Sequence, residues 1–471
     1  MLFDLAGDKI GGSKFAFVTD KNEGLTYQEL RNYIDDIAGQ IDMTCIAIII
    51  MNNDLGAVIY YLSCLVAGVV PIILDKDASK EKVKYYIEKY EPEYILGIVN
   101  KKEVCTYIES VGYKETRILF RHILFKKGWH ESKSIHPELA ILLPTSGTTN
   151  VSKLVRISKT NLHNNTLNIC EALKIKGSDV AITSLPLSYT YGLSVLNTHL
   201  YMRATILLTD KSILQRSFWD FSEKYKATSF AGVPYTYELL EKRGYLEKSS
   251  SIMCYTQSGG KLSAMLQEKF TRYCAENGKK FICMYGQTEA TARISYLPMQ
   301  FGLQKIGSVG IAIPEGEIEI YKQQEIDGVG EIIYYGENVS MGYCNCVGDL
   351  TLGNTNNNVL HTGDIGYLDE DGFLYITGRK SDYVKLYGKR FCLMDISEMI
   401  LEMYDIYVFC EFEQEQIVIT YERVAEKLIN EVKNGLPKQL HLSADDFIYN
   451  MVEQFDRTPN GKIRMRGCTN E

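Results

Sequence analysis

The chain has 471 residues, 45% hydrophobic and 23% charged, with a net charge of −8 at pH 7. That length exceeds what one ordinary core fills, so two or more folding units are expected in a globular protein of average composition. The acidic balance, with no basic tract to offset it, argues against nucleic acid as the main partner.

Twelve cysteines include no C-x-x-C pair; Cys344 and Cys346 are the nearest two. Neither a metal knuckle nor a disulfide framework is indicated, and free thiols in a reducing cytoplasm are expected. Met1-Leu2-Phe3-Asp4-Leu5 carries no charged leader with a cleavage site, so no secretory signal is expected. Gly56 to Leu74 is uncharged over 19 residues, a length that trips a membrane-helix filter. Gly68 and Pro71 interrupt it and Asp54 and Asp75 flank it. A buried helix to about Ala67, a turn and a strand Val69–Leu74 are expected instead, with no stable membrane insertion.

From about residue 45 to 335, apolar runs alternate with amphipathic stretches: Cys45–Met51, Tyr94–Val99, Ala181–Pro186, Thr205–Thr209, Ser229–Gly232 and Phe281–Tyr285. Runs this short between helical patterns predict β-α repeats and largely parallel sheets. Between Ile306 and Tyr343 the pattern changes. Val309–Ile313, Glu317–Tyr321 and Glu331–Tyr335 alternate around Gly and Pro turns, as in a small antiparallel β-barrel. Asp369 to Phe373 reads as a hairpin turn between Tyr367 and Tyr375. The short polar run Gly378-Arg379-Lys380-Ser381-Asp382 marks a boundary, giving an α/β domain over 1–378 and a small α+β domain over 379–471. In the latter, helices are expected near Met394–Met403 and Val424–Asn434, and strands near Ile406–Phe412 and Gln416–Tyr421.

Four segments carry chemistry. In Leu143-Pro144-Thr145-Ser146-Gly147-Thr148-Thr149-Asn150-Val151-Ser152-Lys153, hydroxyls crowd around one glycine after a buried strand end, and a lysine follows. Such a loop turns backbone N–H groups, O–H donors and a cation toward a polyphosphate. It lacks the second glycine and the Ser/Thr after lysine of a Walker A loop. A solvated Ser/Thr turn is the alternative. The second segment, Phe281 to Glu289, runs a strand into Tyr285-Gly286-Gln287-Thr288-Glu289. The third pairs His361-Thr362-Gly363-Asp364 with Gly378-Arg379-Lys380-Ser381-Asp382, and the last is Arg457-Thr458-Pro459-Asn460-Gly461-Lys462-Ile463.

In order and separation, these segments resemble the core motifs of the adenylate-forming enzymes. That superfamily includes acyl-CoA synthetases, aryl-acid ligases, nonribosomal-peptide adenylation domains and firefly luciferase, and the resemblance spans nearly the whole chain. It implies an ATP- and Mg²⁺-dependent ligase that joins a small-molecule carboxylic acid to AMP and then to a thiol. The thiol is that of CoA or of a carrier protein's phosphopantetheine. Two anions must be brought together, so the site has to neutralise charge and align an in-line displacement.

The resemblance assigns Thr145, Ser146, Gly147, Thr148, Thr149 and Lys153 to the β- and γ-phosphates. Asn150, Ser152 and Leu154 depart from the family's Gly, Pro and Gly there. Tyr285 offers a ring face to adenine, Gly286 a close backbone approach, Thr288 a contact to the α-phosphate and Glu289 a Mg²⁺ ligand. Asp364 takes the ribose hydroxyls and Arg379 the ribose or phosphate edge. The hinge falls on Ser381, where Asp or Lys is common. Lys462 is the key cation of the first half-reaction. Lys385 matches a second lysine that serves after the small domain has rotated as a lid; a solvated face is its alternative reading.

For the acyl pocket the resemblance points to Leu185-Pro186-Leu187-Ser188-Tyr189-Thr190-Tyr191-Gly192, with Tyr189 where His is frequent, and to Val233-Pro234-Tyr235 and Ser258-Gly259-Gly260. Amino-acid-activating relatives hold an α-ammonium with Asp near the position of Gly192, and its absence argues against an α-amino acid. Gln257, Ser258 and Tyr235 suggest a small or aromatic acid. The alternatives are a stand-alone amino-acid adenylation protein loading a carrier protein, and a non-catalytic nucleotide-binding relative.

Overall fold

The computed structural model describes residues 13–41, 45–98, 101–128, 133–145, 153–245, 250–322, 329–387, 389–457 and 463. Two large sheets dominate. One has nine strands, with Lys280–Tyr285, Cys254–Gln257, Ser229–Gly232, Val180–Ile182, Thr205–Leu208 and Phe15–Thr19 running parallel in that order. The other has eight, with Leu139–Pro144, Val70–Asp75, Ile46–Met51 and Tyr94–Ile98 parallel at its centre.

The uncharged segment 56–74 has its explanation between these sheets. It folds as helix Leu55–Ala67 and strand Val70–Asp75, joined through Gly68 at φ 72°. Asp54 caps the helix, accepting from the Ala57 N–H at 3.0 Å. The helix packs beside Thr190–Tyr201, with the Tyr61 hydroxyl donating to Asn197 Oδ1 at 3.2 Å, inside one core drawn from both sheets. A helix covered on every side has no polar face to show. No helix among the described residues is long and apolar enough to cross a membrane.

Ser229–Gly232 and Glu317–Tyr321 form as expected. Two strands depart from expectation. The run Ala181–Pro186 is strand only over Val180–Ile182, because the segment after Thr183 bends to meet Asn53 while Thr183 itself stays bonded to the Leu207 carbonyl. The Asn53 Nδ2 donates to the Leu185 carbonyl at 3.1 Å and its Oδ1 accepts from the Leu187 N–H at 3.0 Å. Val309–Ile313 shrinks to Ile311–Ala312 and joins the nine-stranded sheet against Ser295–Tyr296. Gly310, at φ 89°, lies so close to the Tyr296 carbonyl that a Cβ would stand 1.8 Å from it.

The antiparallel part is a four-stranded sheet in the order Glu317–Tyr321, Gly330–Tyr335, Val359–Leu368, Leu374–Arg379, open rather than ring-closed among the described residues. Its last hairpin stacks Tyr367 on Tyr375 at 5.0 Å. The smaller C-terminal domain has its own core, including Ile396, Ile400, Ile417, Ile419, Val432 and Leu436. It is built from hairpin Tyr383–Leu386/Lys389–Cys392, helices Leu393–Tyr404 and Glu426–Leu440, and a three-stranded sheet.

Candidate nucleotide and acid site

The parallel strands of the nine-stranded sheet deliver Val233–Tyr235, Ser258–Gly260 and Tyr285–Glu289 to the same edge, their C-terminal ends, where open α/β sheets bind ligands. The hydroxyl-rich loop joins antiparallel strands Leu139–Pro144 and Leu154–Ser158. Thr145 and Lys153 close its base, the Thr145 N–H donating to the Lys153 carbonyl at 2.9 Å. Ser146, Gly147, Thr148 and Thr149 lie outside the described residues, as does Lys462. Leu154 is fully buried and pairs with Pro144 and Cys344, so this departure from the family pattern is a core residue.

Lys153 and Glu289 meet through Tyr343. The Lys153 ammonium stands over the Tyr343 ring at 5.2 Å, and the Tyr343 hydroxyl donates to Glu289 Oε1 at 2.8 Å. Burial and the Glu289 carboxylate raise the Tyr343 pKa, which keeps that hydroxyl a donor. Thr288 is one hydrogen bond away from the acyl-side segment, its hydroxyl 3.0 Å from that of Thr190.

Asp364 is the second centre. It accepts from the Tyr285 hydroxyl and from Gln287 Nε2 at 2.6 Å, and pairs with Arg379 Nε at 3.0 Å. Gln287 also donates to the Thr362 carbonyl at 2.9 Å. Tyr285 is packed rather than presented: its ring belongs to the cluster of Ile294, Ile332, Tyr334 and Leu360, and burial beside Asp364 pushes its pKa far up. Gly286 is also explained by packing, since a Cβ there would stand 1.7 Å from the Ala292 carbonyl.

On the acyl side the structure brings Tyr189 and Gly259 into contact. Gly259 has φ 90°, and a Cβ on it would lie 2.4 Å from Tyr189 Oη. Ser258 is buried, its N–H donating to the Gly232 carbonyl at 3.2 Å, and Gly260 accepts from Gln257 Nε2 at 2.9 Å. Gly192 packs on the chain: a Cβ would be 2.2 Å from the Pro186 carbonyl. A glycine is therefore required here whatever the substrate, and the missing Asp does not by itself exclude an amino acid.

Tyr235 lies under the guanidinium of Arg457 at 4.2 Å, a contact from the smaller domain joined by Lys261–Glu398 at 2.8 Å. Ser381 is in the turn Lys380–Asp382, its hydroxyl donating to Asp382 Oδ1 at 3.1 Å. Lys385 is exposed on the hairpin opposite Arg390, and no hydrogen bond or ion pair among the described residues ties it to Glu289 or Asp364. Gln287, Tyr343 and Thr190 also belong to the site, though no motif singled them out. Gln287 and Thr190 stood inside quoted motifs; nothing local marked Tyr343, which reaches the site by pairing with Leu154–Ser158.

This arrangement of two α/β sheets, a hydroxyl-rich hairpin loop and two carboxylates, Glu289 and Asp364, held at one strand-end turn defines an adenylate-forming class of enzyme. The chain belongs to the AMP-binding enzyme family, whose model matches residues 9–344. It is 29% identical over 372 residues to the 2-succinylbenzoate–CoA ligase of Bacillus cereus, covering 75% of this chain and 72% of that one. The Bacillus mycoides enzyme of the same name is 28% identical over 378 residues, covering 76% and 72%. In fold it is similar to Bacillus subtilis o-succinylbenzoate CoA synthetase in complex with its acyl-adenylate intermediate (TM-score 0.78, 21% identity, 100% and 98% covered). ATP-bound MatB from Rhodopseudomonas palustris is similar as well (TM-score 0.81, 22% identity, 98% and 97% covered). The chain is an ATP-dependent, AMP-forming carboxylate ligase that makes an acyl-adenylate and then a thioester. The amino-acid adenylation and non-catalytic alternatives are not favoured.

Proposed function

We propose that this ligase hands a compact carboxylic acid to CoA rather than to a carrier protein, in the cytoplasm, with 1–378 binding ATP and acid and 379–471 turning as a lid about Ser381. The observation that carries the reading is the meeting of Lys153 and Tyr343, from the side of the eight-stranded sheet, with the strand-end turn Tyr285–Glu289, whose Gln287 binds Asp364. The names of the relatives support CoA as acceptor and make 2-succinylbenzoate the first acid to try.

In this reading Thr145, Lys153 and the loop between them hold the β- and γ-phosphates, Asp364 and Arg379 the ribose, and Thr288 the α-phosphate. Lys462 steadies the charge that builds as the acid attacks, and Lys385 replaces it after the lid turns. Glu289 suits Mg²⁺, a hard cation held through one carboxylate together with substrate phosphates. Among the described residues no group of three His, Cys, Asp or Glu could by itself hold a metal ion. When bound, the ion neutralises charge on the phosphates.

The test is ATP–pyrophosphate exchange over a panel of acids, then thioester formation with CoA and with a phosphopantetheinylated carrier protein. Acid-dependent exchange and transfer to CoA are expected. A folded protein that exchanges with no acid sinks the reading, and transfer to the carrier alone overturns the choice of acceptor.

A further inference from the structure

Past Glu289 the chain enters a strained turn, with Thr291 at φ 56° and Ala292 at φ 131°. Asn338 clamps it. The Asn338 Nδ2 donates to the carbonyls of Ala290 at 2.8 Å and Arg293 at 2.9 Å, while the Thr291 hydroxyl donates to the Asn338 carbonyl at 2.7 Å. A second amide, Asn165 Nδ2, donates to the Arg293 carbonyl at 3.2 Å. So much local order fixes where the next side chain goes, and that side chain is a guanidinium.

Arg293 is 2% exposed. Its guanidinium lies over the Tyr191 ring at 4.6 Å, and among the described residues no carboxylate pairs with it. Neither Nε nor Nη1 has a hydrogen-bond acceptor. Stacking on a ring uses the flat face of the cation and leaves its in-plane N–H groups unsatisfied. Buried charges in proteins are paired, and buried donors are bonded, unless a ligand supplies the partner.

The guanidinium lines a cavity of about 190 Å³ walled by Tyr191, Ser194, Val195, Ala231 and Thr256. A cavity of ~150 Å³ accepts a benzene ring, so this one accommodates an aryl group or a short chain with one polar end. It adjoins the acyl side of the site through its Tyr191 wall: Tyr191 meets Tyr189 edge to face at 6.4 Å, and Tyr189 covers Gly259. Asp179 also lines the cavity but accepts from the Lys176 N–H at 2.7 Å, and Lys174, Lys176 and Lys280 are the other charged groups around it.

We propose that the acid carries a second anionic group, a carboxylate, and that Arg293 receives it through Nε and Nη1 in this cavity beside the acyl site. Arg293 thereby sets specificity toward dicarboxylic acids. This rests on the ligase reading above and adds the class of acid to it.

The test uses acids in matched pairs: 2-succinylbenzoate with 4-oxo-4-phenylbutanoate, which lacks only the ring carboxylate, and phthalate and glutarate with benzoate and butyrate. Exchange kinetics on the full chain are expected to favour at least one diacid over its partner by about 10–150-fold in kcat/KM, the range of a charge-assisted hydrogen bond. Arg293→Met is expected to erase that preference while sparing the monoacid, and Arg293→Lys to restore part of it; calorimetry verifies that each variant folds. Should Arg293→Met fail to fold, Arg293→Lys with a reduced preference and unchanged monoacid kinetics still supports the assignment. Exchange with monoacids alone, or an equal loss on both members of every pair, overturns it. Exchange with no acid at all overturns the ligase reading and this assignment together.

Discussion

Asp364 and Arg379 stand directly opposite one another on adjacent antiparallel strands, and their side chains pair at 3.0 Å. Their separation along the chain is the length of the hairpin that folds one onto the other. Asp364 is 4% exposed and fully engaged by Arg379, Gln287 and Tyr285, so a ribose diol has to displace some of these donors to reach it.

Replacing the carboxylate keeps the shape and removes the charge. Asp364→Asn is expected to raise KM for ATP about 10–100-fold, corresponding to roughly 1.5–3 kcal/mol for bonds to a charged group. Exchange kinetics at varied ATP and saturating acid measure it. An unchanged KM removes Asp364 from nucleotide binding.

Lys462→Ala is expected to slow adenylate formation by about 10²-fold or more, the scale of one preorganised electrostatic partner. Equilibrium binding of ATP to the large domain survives. A single-turnover measurement of adenylate formation beside a binding isotherm separates the two, and full activity in the variant excludes the lysine from the reaction.

Gly259 and Tyr189 form a natural double-mutant cycle. Gly259→Ala places a methyl 2.4 Å from Tyr189 Oη at a backbone with φ 90°. About 1–3 kcal/mol of stability is expected to be lost, with a raised KM for the acid. Adding Tyr189→Phe removes the clash but not the φ strain, so only part of the stability returns. Complete rescue in thermal unfolding contradicts the backbone argument.

His199 supplies a pH signature. Its Nδ1 donates to the Val195 carbonyl at 2.9 Å and its Nε2 lies 3.1 Å from Ser229 Oγ; burial lowers its pKa below the ordinary 6.5. The unfolded chain therefore takes the proton first as pH falls. Stability from the neutral ring is complete above pH 6.5 and is lost below it, by at most about 1.4 kcal/mol per pH unit. His199→Gln lacks this slope. The stability difference between wild type and variant is expected to be flat above pH 7 and to move against the wild type as pH falls below 6.5, by no more than about 1.4 kcal/mol per pH unit. A difference that stays flat to pH 5 refutes it.

Much of this protein was legible from residue order alone, because the information was local. The apolar period of Ile46–Met51 or Ser229–Gly232 needs no partner to be read as strand, and Gly68 and Pro71 divide helix from strand by backbone chemistry. The motifs around Thr145, Tyr285, Asp364 and Lys462 named the family for the same reason, since each keeps its donors within a few residues.

What only the tertiary structure decided involves groups that meet across long loops. Gly286 read as a close backbone approach for substrate and Gly192 as the place of a missing Asp, yet each is demanded by a backbone carbonyl, Ala292 and Pro186 respectively. Tyr343 joins Lys153 to Glu289 only because its strand pairs with Leu154–Ser158. Arg293 is an ordinary surface-type residue in the sequence; a strained turn, two asparagine amides and a tyrosine ring turn it inward and leave its Nε and Nη1 without an acceptor. Periodicity records which face of an element is buried, whereas the partners that complete a site are set by sheet order and by the desolvation that comes with packing.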